Sequence, residues 1–190
     1  MGRAPSIDDD ALLRRLSEVF RQSGYEGASL SALSSATGLQ RASLYHRFPD
    51  GKPGMAAAVL QSVEREFATI LDPLTAEADP AAAVAEMARR VGVFYADGRL
   101  ACVLDTMTLR GAPDGIRAHA TRMATAWLAA MADVARRAGA PRAEAARRAR
   151  AALVTIEGAL VLARVLDDPA EFRSALAGLP RTLTSSPPAD

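Results

Sequence analysis

Residues 29–52 read SLSALSSATGLQRASLYHRFPDGK, and the punctuation of this stretch decides the fold. Ser29 can cap a helix whose inner face carries Leu30, Leu33 and Ala36. Gly38 closes that helix, and Thr37-Gly38-Leu39 makes a tight turn. A second helix starts near Gln40, with Leu44 and Phe48 four apart and so on one inward face. Pro49 stops it, since proline blocks a helix interior. Helices this short do not hold together alone in water, and they are too brief to be scaffold. The pattern points to a helix-turn-helix, whose second helix enters a DNA major groove.

The rest of the chain must therefore support this segment. At 190 residues it is long enough for one or two cored domains, and 49% of it is hydrophobic. Abundant alanine and only 5% aromatic residues favour helix over sheet. No apolar run approaches the ~20 residues a membrane span needs. The start, MGRAPSIDDD, has no apolar export signal, so the expected compartment is the cytoplasm. Cys102 stands alone, which fits a reducing compartment. Net charge is +1, so any footprint for nucleic acid must be local. Lys52, at the end of the decisive stretch, is the only lysine.

An all-α chain of about nine helices is expected. Ser6 with Asp9 suggests an acidic capping box, followed by Leu12, Leu13, Leu16, Val19 and Phe20 at helical spacing and a stop at Gly24. A fourth helix entered through Asp50, Gly51 and Pro53 carries Met55, Val59, Val63, Phe67 and Leu71. Further helices follow Asp79-Pro80, from Leu100 to Leu109, through Ile116 to Val134, from Arg142 to Leu166, and after Asp168-Pro169. No strand alternation and no repeat of fixed period is present. The expected domains are 1–53, a helix-turn-helix unit, and 54–183, a helical unit whose 54–71 segment links the two. A Ser/Pro-rich tail, 184–190, is expected to be disordered.

On the second short helix, Gln40, Arg41 and Ser43 suit base edges, and Ala42 suits a thymine methyl. Tyr45, His46 and Lys52 suit phosphates, as does the N-terminus of the Ser29 helix. Arg47 is expected to be a solvated charge.

The spacing Phe20-x3-Gly24-Tyr25-x-Gly27-x-Ser29, then Leu33, Gly38, Leu44-Tyr45-x-x-Phe48 and Lys52, resembles the N-terminal domain of TetR-type bacterial transcriptional regulators. The ending Phe48-Pro49-x-Gly51-Lys52 and the run EGALVLARVLDDP resemble the LmrA/YxaF-like branch. Pro53-Gly54 departs from the acidic helix formers usual after that lysine. The resemblance implies a homodimer on a palindromic double-stranded operator, and a repressor released by a small-molecule effector. It implies no cofactor, no metal and no membrane partner. By the same carry-over, Tyr45 and Lys52 contact phosphates and the Gln40–His46 face reads bases.

Met87, Phe94, Cys102, Met107, His119, Met123 and Trp127 are candidates for an apolar effector pocket, since methionine adapts to irregular space. The small residues Ala149, Ala152 and Ala163, with Leu153, Ile156 and Leu160, suggest a two-fold interface completed by Phe172 and Leu176. Two other readings compete. One is a helical interaction module that binds no DNA. The other is a thiol hydrolase built from Cys102, His119 and Asp105, which lacks any phosphate loop, paired metal ligands or nucleophile elbow.

Overall fold

The computed structural model describes residues 7–185. Every regular element among them is a helix: α1 (Asp9–Gly27), α2 (Leu30–Thr37), α3 (Arg41–Arg47), α4 (Lys52–Leu71), α5 (Pro73–Ala76), α6 (Pro80–Phe94), α7 (Val103–Thr108), α8 (Asp114–Arg137), α9 (Arg142–Val165) and α10 (Pro169–Thr184). These are the expected helices plus one extra turn, α5, which Pro73 opens directly after α4.

Local chemistry explains most boundaries. Asp8, rather than Ser6, caps α1 by accepting the Ala11 N–H at 2.8 Å; Ser6 lies outside the described residues. The helix does not stop at Gly24 but breaks there, at φ 67° and ψ 178°, and resumes to Gly27. Asp79 caps α6 through Ala81 and Ala82, and Asp168 caps α10 through Ala170, each just before a proline at the first helical position. The helix expected from Leu100 begins only at Val103. Thr184, expected in the tail, is the last residue of α10, and 186–190 lie outside the described residues. Despite Pro53-Gly54, α4 starts at Lys52, because proline is tolerated in a first turn.

The described residues form two compact units. The first runs to Arg65 and adds Val103–Thr121; the second holds Glu66–Cys102 and everything from Arg122. In the first, Leu12, Leu16, Phe20, Leu33, Leu44, Met55 and Val59 are all buried. In the second, Phe67 meets Phe94 at 5.1 Å and Trp127 at 4.8 Å, both edge-on, and Tyr95 meets Phe172 edge-on at 6.0 Å. Each such side chain contributes roughly 1.5–3 kcal/mol by leaving water. Arg137 donates to the carbonyls of Leu74 and Glu77, which satisfies the end of α5.

One expectation is corrected here. Ala149, Ala152, Ile156, Leu160, Ala163, Phe172 and Leu176 are buried within a single chain, and Leu153 is half-buried. They form the subunit's own core where α9 packs on α10, not a surface awaiting a second copy. The reason is steric: a row of alanines lets the neighbouring helix come close, and α10 is the neighbour. The exposed large apolar residues of this region are instead Val154, Val161, Leu162, Val165 and Leu166.

On α6, hydrogen bonds from Arg89 and Arg90 lower the Glu86 carboxyl from 4.5 to about 2. A lowered native value means the ionised form is the stabilising one. The advantage of wild type over Glu86→Gln in urea unfolding should be complete above pH 4.5 and vanish as pH falls toward 2. An advantage independent of pH would contradict this.

Candidate nucleic-acid interface

The first three helices build a small platform. Leu12, Leu16 and Phe20 of α1, Leu33 of α2 and Leu44 of α3 are each no more than 1% exposed. Gly38 turns the chain between α2 and α3 in the left-handed conformation, at φ 70°, which suits a residue without Cβ. Its N–H reaches the Ser34 and Ser35 carbonyls.

Side chains complete the turn. The buried Thr37 hydroxyl donates to the Leu33 carbonyl at 2.8 Å and accepts the Leu39 N–H at 3.3 Å. The Ser34 hydroxyl donates to the Leu39 carbonyl at 2.5 Å, and Arg15 reaches the Thr37 carbonyl at 3.4 Å. The sequence places Thr37 and Leu39 in the turn but does not reveal the side-chain bonds of Thr37, Ser34 and Arg15 that close it. The signal available was Thr37 directly before the turn glycine, where a hydroxyl can serve the backbone locally.

With Leu44 inward, α3 turns the predicted reading residues outward. Gln40, Arg41, Ala42, Tyr45 and His46 are exposed, and Ser43 is half-buried. Gln40 stands at the N-cap of α3 without spending its amide on the cap. Ser29 is already engaged, accepting the Ala32 N–H at 3.1 Å. Tyr45 lies over Gly51, where a Cβ would come within 3.0 Å of the ring. Phe48 is half-buried.

Arg47 is exposed, as expected, but it is also engaged. It donates to Asp9 at 2.9 Å and to the Ile7 carbonyl at 3.1 Å, tying the end of α3 to the start of α1. Lys52 donates to the Glu26 carbonyl at 3.2 Å and lies 4.7 Å from the centre of the Tyr25 ring. That ring stacks on Phe20, with centroids 6.3 Å apart. Burial pushes the Tyr25 phenol up, so it stays un-ionised near neutrality. Between Ser29 and Lys52 the cations are Arg41, Arg47 and Lys52, and Asp50 is the one acid. A nearly neutral chain thus carries a locally basic segment.

The seven pocket candidates divide between the units. Met107 and His119 lie in the first; Met87, Phe94, Cys102, Met123 and Trp127 lie in the second. All are buried except His119, which is half-buried and pairs with Glu64 at 2.9 Å. The Cys102 sulfur lies 3.4 Å from the Tyr95 hydroxyl. The buried Trp127 indole N–H has no hydrogen-bond partner among the described residues. Buried donors are rarely left so.

Comparisons with known proteins agree with this geometry. Residues 12–59 match the family model of bacterial regulatory proteins of the tetR family. Residues 80–177 match the C-terminal domain model of LmrA/YxaF-like transcriptional regulators. YezE of Bacillus subtilis (strain 168), an HTH-type transcriptional regulator, is 37% identical over 76 residues, spanning 40% of this chain and 39% of that protein. A TetR transcriptional regulator from Legionella pneumophila superimposes with a TM-score of 0.83 at 17% identity, covering 95% of this chain and 100% of that one. The regulator CifR, solved with a 26-bp operator duplex, gives 0.72 at 24% identity, covering 97% and 100%.

The turn offers a direct test. Thr37→Val keeps the volume but leaves the Leu39 N–H without its acceptor, so it should cost about 1–3 kcal/mol in urea unfolding. Thr37→Ser should recover most of that loss. Equal stability of Thr37→Val and wild type would remove the hydroxyl from the turn.

Proposed function

The chain belongs to the TetR family of bacterial transcriptional regulators, with an LmrA/YxaF-like C-terminal domain, and from that premise we propose that it is a dimeric repressor released from its operator by a small apolar effector. The observation that carries the DNA-binding half is the outward face of α3. Gln40, Arg41 and Ser43 stand at the helix start, where a recognition helix meets base edges. Tyr45, His46 and Lys52 flank them as phosphate contacts, with the amides at the start of α2 beside Ser29.

The exposed residues Val154, Val161, Leu162 and Val165 recur at helical spacing along one face of α9, and Leu166 at its C-cap extends the stripe. Gly158 leaves that face open to close approach. This stripe replaces the alanine row as the surface for the second copy. Two-fold pairing would set two α3 helices in successive major grooves, ~34–36 Å apart.

The orphan Trp127 N–H supports the effector half. It lies among Phe67 and the other aromatic rings of the second unit, and a ligand acceptor would satisfy it. Within the first unit, α7 packs on the end of α1, where a Cβ on Gly24 would lie 3.0 Å from the Thr106 carbonyl oxygen. A displacement of α7 would therefore move the helix on which α2 and α3 rest. Such a ligand acts only if it prefers the DNA-incompetent state.

On this reading the protein works in the cytoplasm and by binding alone. The Cys102 sulfur is buried and faces the Tyr95 hydroxyl, which fits an inert thiol rather than a hydrolase nucleophile. Among the described residues no helix is long and apolar enough to cross a membrane.

Recovering the genomic DNA bound by the protein tests the reading and supplies the operator. On that DNA, Arg41→Ala should cost about 1–3 kcal/mol and relax specificity at one position in each half-site. Absence of any mobility shift at low salt would favour the interaction-module reading instead. Val165→Asp should move the protein toward monomer in sedimentation and weaken operator binding with it. A dimer that persists would take the α9 stripe out of the interface.

A further inference from the structure

Lys52 is oddly placed for a cation. It is the first residue of a 20-residue helix, at the end where the helix dipole favours negative charge. Two groups offset this: the Glu26 carbonyl, 3.2 Å from its ammonium, and the Tyr25 ring face, 4.7 Å below it. Tyr25 itself is buried and stacked on Phe20, so its ring is a fixed surface. An aromatic face and a carbonyl both attract an ammonium, and neither neutralises its charge. Lysine has three donors. One goes to Glu26, and the others have no hydrogen-bond acceptor among the described residues, on a half-buried side chain.

We propose that Tyr25 is a positioning residue for DNA binding: its ring, with the Glu26 carbonyl, holds the Lys52 ammonium ready for a backbone phosphate. The proposal rests on the DNA-binding reading above. A free lysine side chain must lose its rotamer freedom when it takes a phosphate. Here much of that ordering is present before DNA arrives. A compact ammonium can lie on the ring and point one donor at the carbonyl at the same time. Every other basic side chain of the Lys+Arg set is arginine.

Because Lys52 is the only lysine, labelling with ¹³C,¹⁵N-lysine gives one side-chain spin system that needs no assignment. In the full-length protein without DNA, the Lys52 Hε protons should be shifted upfield by the Tyr25 ring. They should keep that shift in Tyr25→Phe and lose it in Tyr25→Leu. Wild-type Hε protons at the position of free lysine would overturn the seat without any variant having to fold. The second arm is anisotropy with a mixed-sequence duplex at low salt. Tyr25→Leu should weaken binding roughly two- to fivefold, the effect of an exposed cation–π contact, while Tyr25→Phe should not. In a Lys52→Ala background the same substitution should cost nothing. An equal loss in both backgrounds would make Tyr25 merely structural and defeat the proposal alone. A wild-type protein that binds no duplex, with its Hε protons still shifted, would instead defeat the DNA-binding reading and the phosphate role with it.

Discussion

Everything the protein can say to DNA depends on the burial of Leu44. α3 has seven residues, far fewer than an isolated helix needs to persist in water. Its backbone hydrogen bonds cannot hold it in place, so its position is set by where its apolar side chain goes. Leu44 is fully buried, as are Leu33 of α2 and Leu16 and Phe20 of α1. Emptying such a site costs about 2–5 kcal/mol, a large share of the 5–15 kcal/mol that keeps a domain folded. With one residue committed inward, the helical period turns Ala42, Tyr45 and His46 to solvent, and Arg41 is exposed as the first residue of the helix. Reading face and core contact are two sides of one periodicity.

The cations around this helix do different work, and the division follows from what each touches. Arg47 bonds Asp9 and the Ile7 carbonyl, so it ties the end of α3 to the start of α1. An exposed ion pair of this kind is worth little alone, but here it adds to a helix that Leu44 already docks. At the other end the turn is closed by Thr37 and Ser34 hydroxyls and by the left-handed Gly38. Both ends of α3 are therefore tied. The middle and the N-cap, where Gln40 keeps its amide off the cap, carry the residues proposed to meet a base.

How much of this could be read from the chain depended on the range of each interaction. The turn was legible because its signals are local: Ser29, Gly38 and Pro49 act on their own neighbours. The helices were legible from apolar spacing, and the extra turn α5 was missed because four residues carry no period. The partners of Arg47 and Lys52 were not legible, since Asp9 and Glu26 lie far away in sequence and no spacing relates them. α9 misled for another reason. Its alanine face and its Val/Leu face both satisfy a helical period, so periodicity could not say which one α10 covers. Packing decides it: α10 takes the alanine row, and the bulky stripe is left outside. The family resemblance survived this error because it was carried by the local pattern around α2 and α3.

The same stripe bears on how a chain of net charge +1 can bind DNA selectively. Non-specific affinity comes from neutralised phosphates, and a nearly neutral protein has few cations to spend on it. A single α3 offers a handful of contacts to base edges, each worth about 1–3 kcal/mol against a wrong base. That is too little against a genome of competing sites. Joining two copies through the proposed α9 stripe would add the free energies of two helices, so their discrimination ratios would multiply while the non-specific background stays low. Weak charge then becomes an asset: with less of the binding held by phosphates, a modest preference of an effector for the other conformation is enough to tip the balance. Dimerisation and near-neutrality are in this sense one requirement, and the exposed apolar stripe from Val154 to Leu166 is where the proposed pairing would meet it.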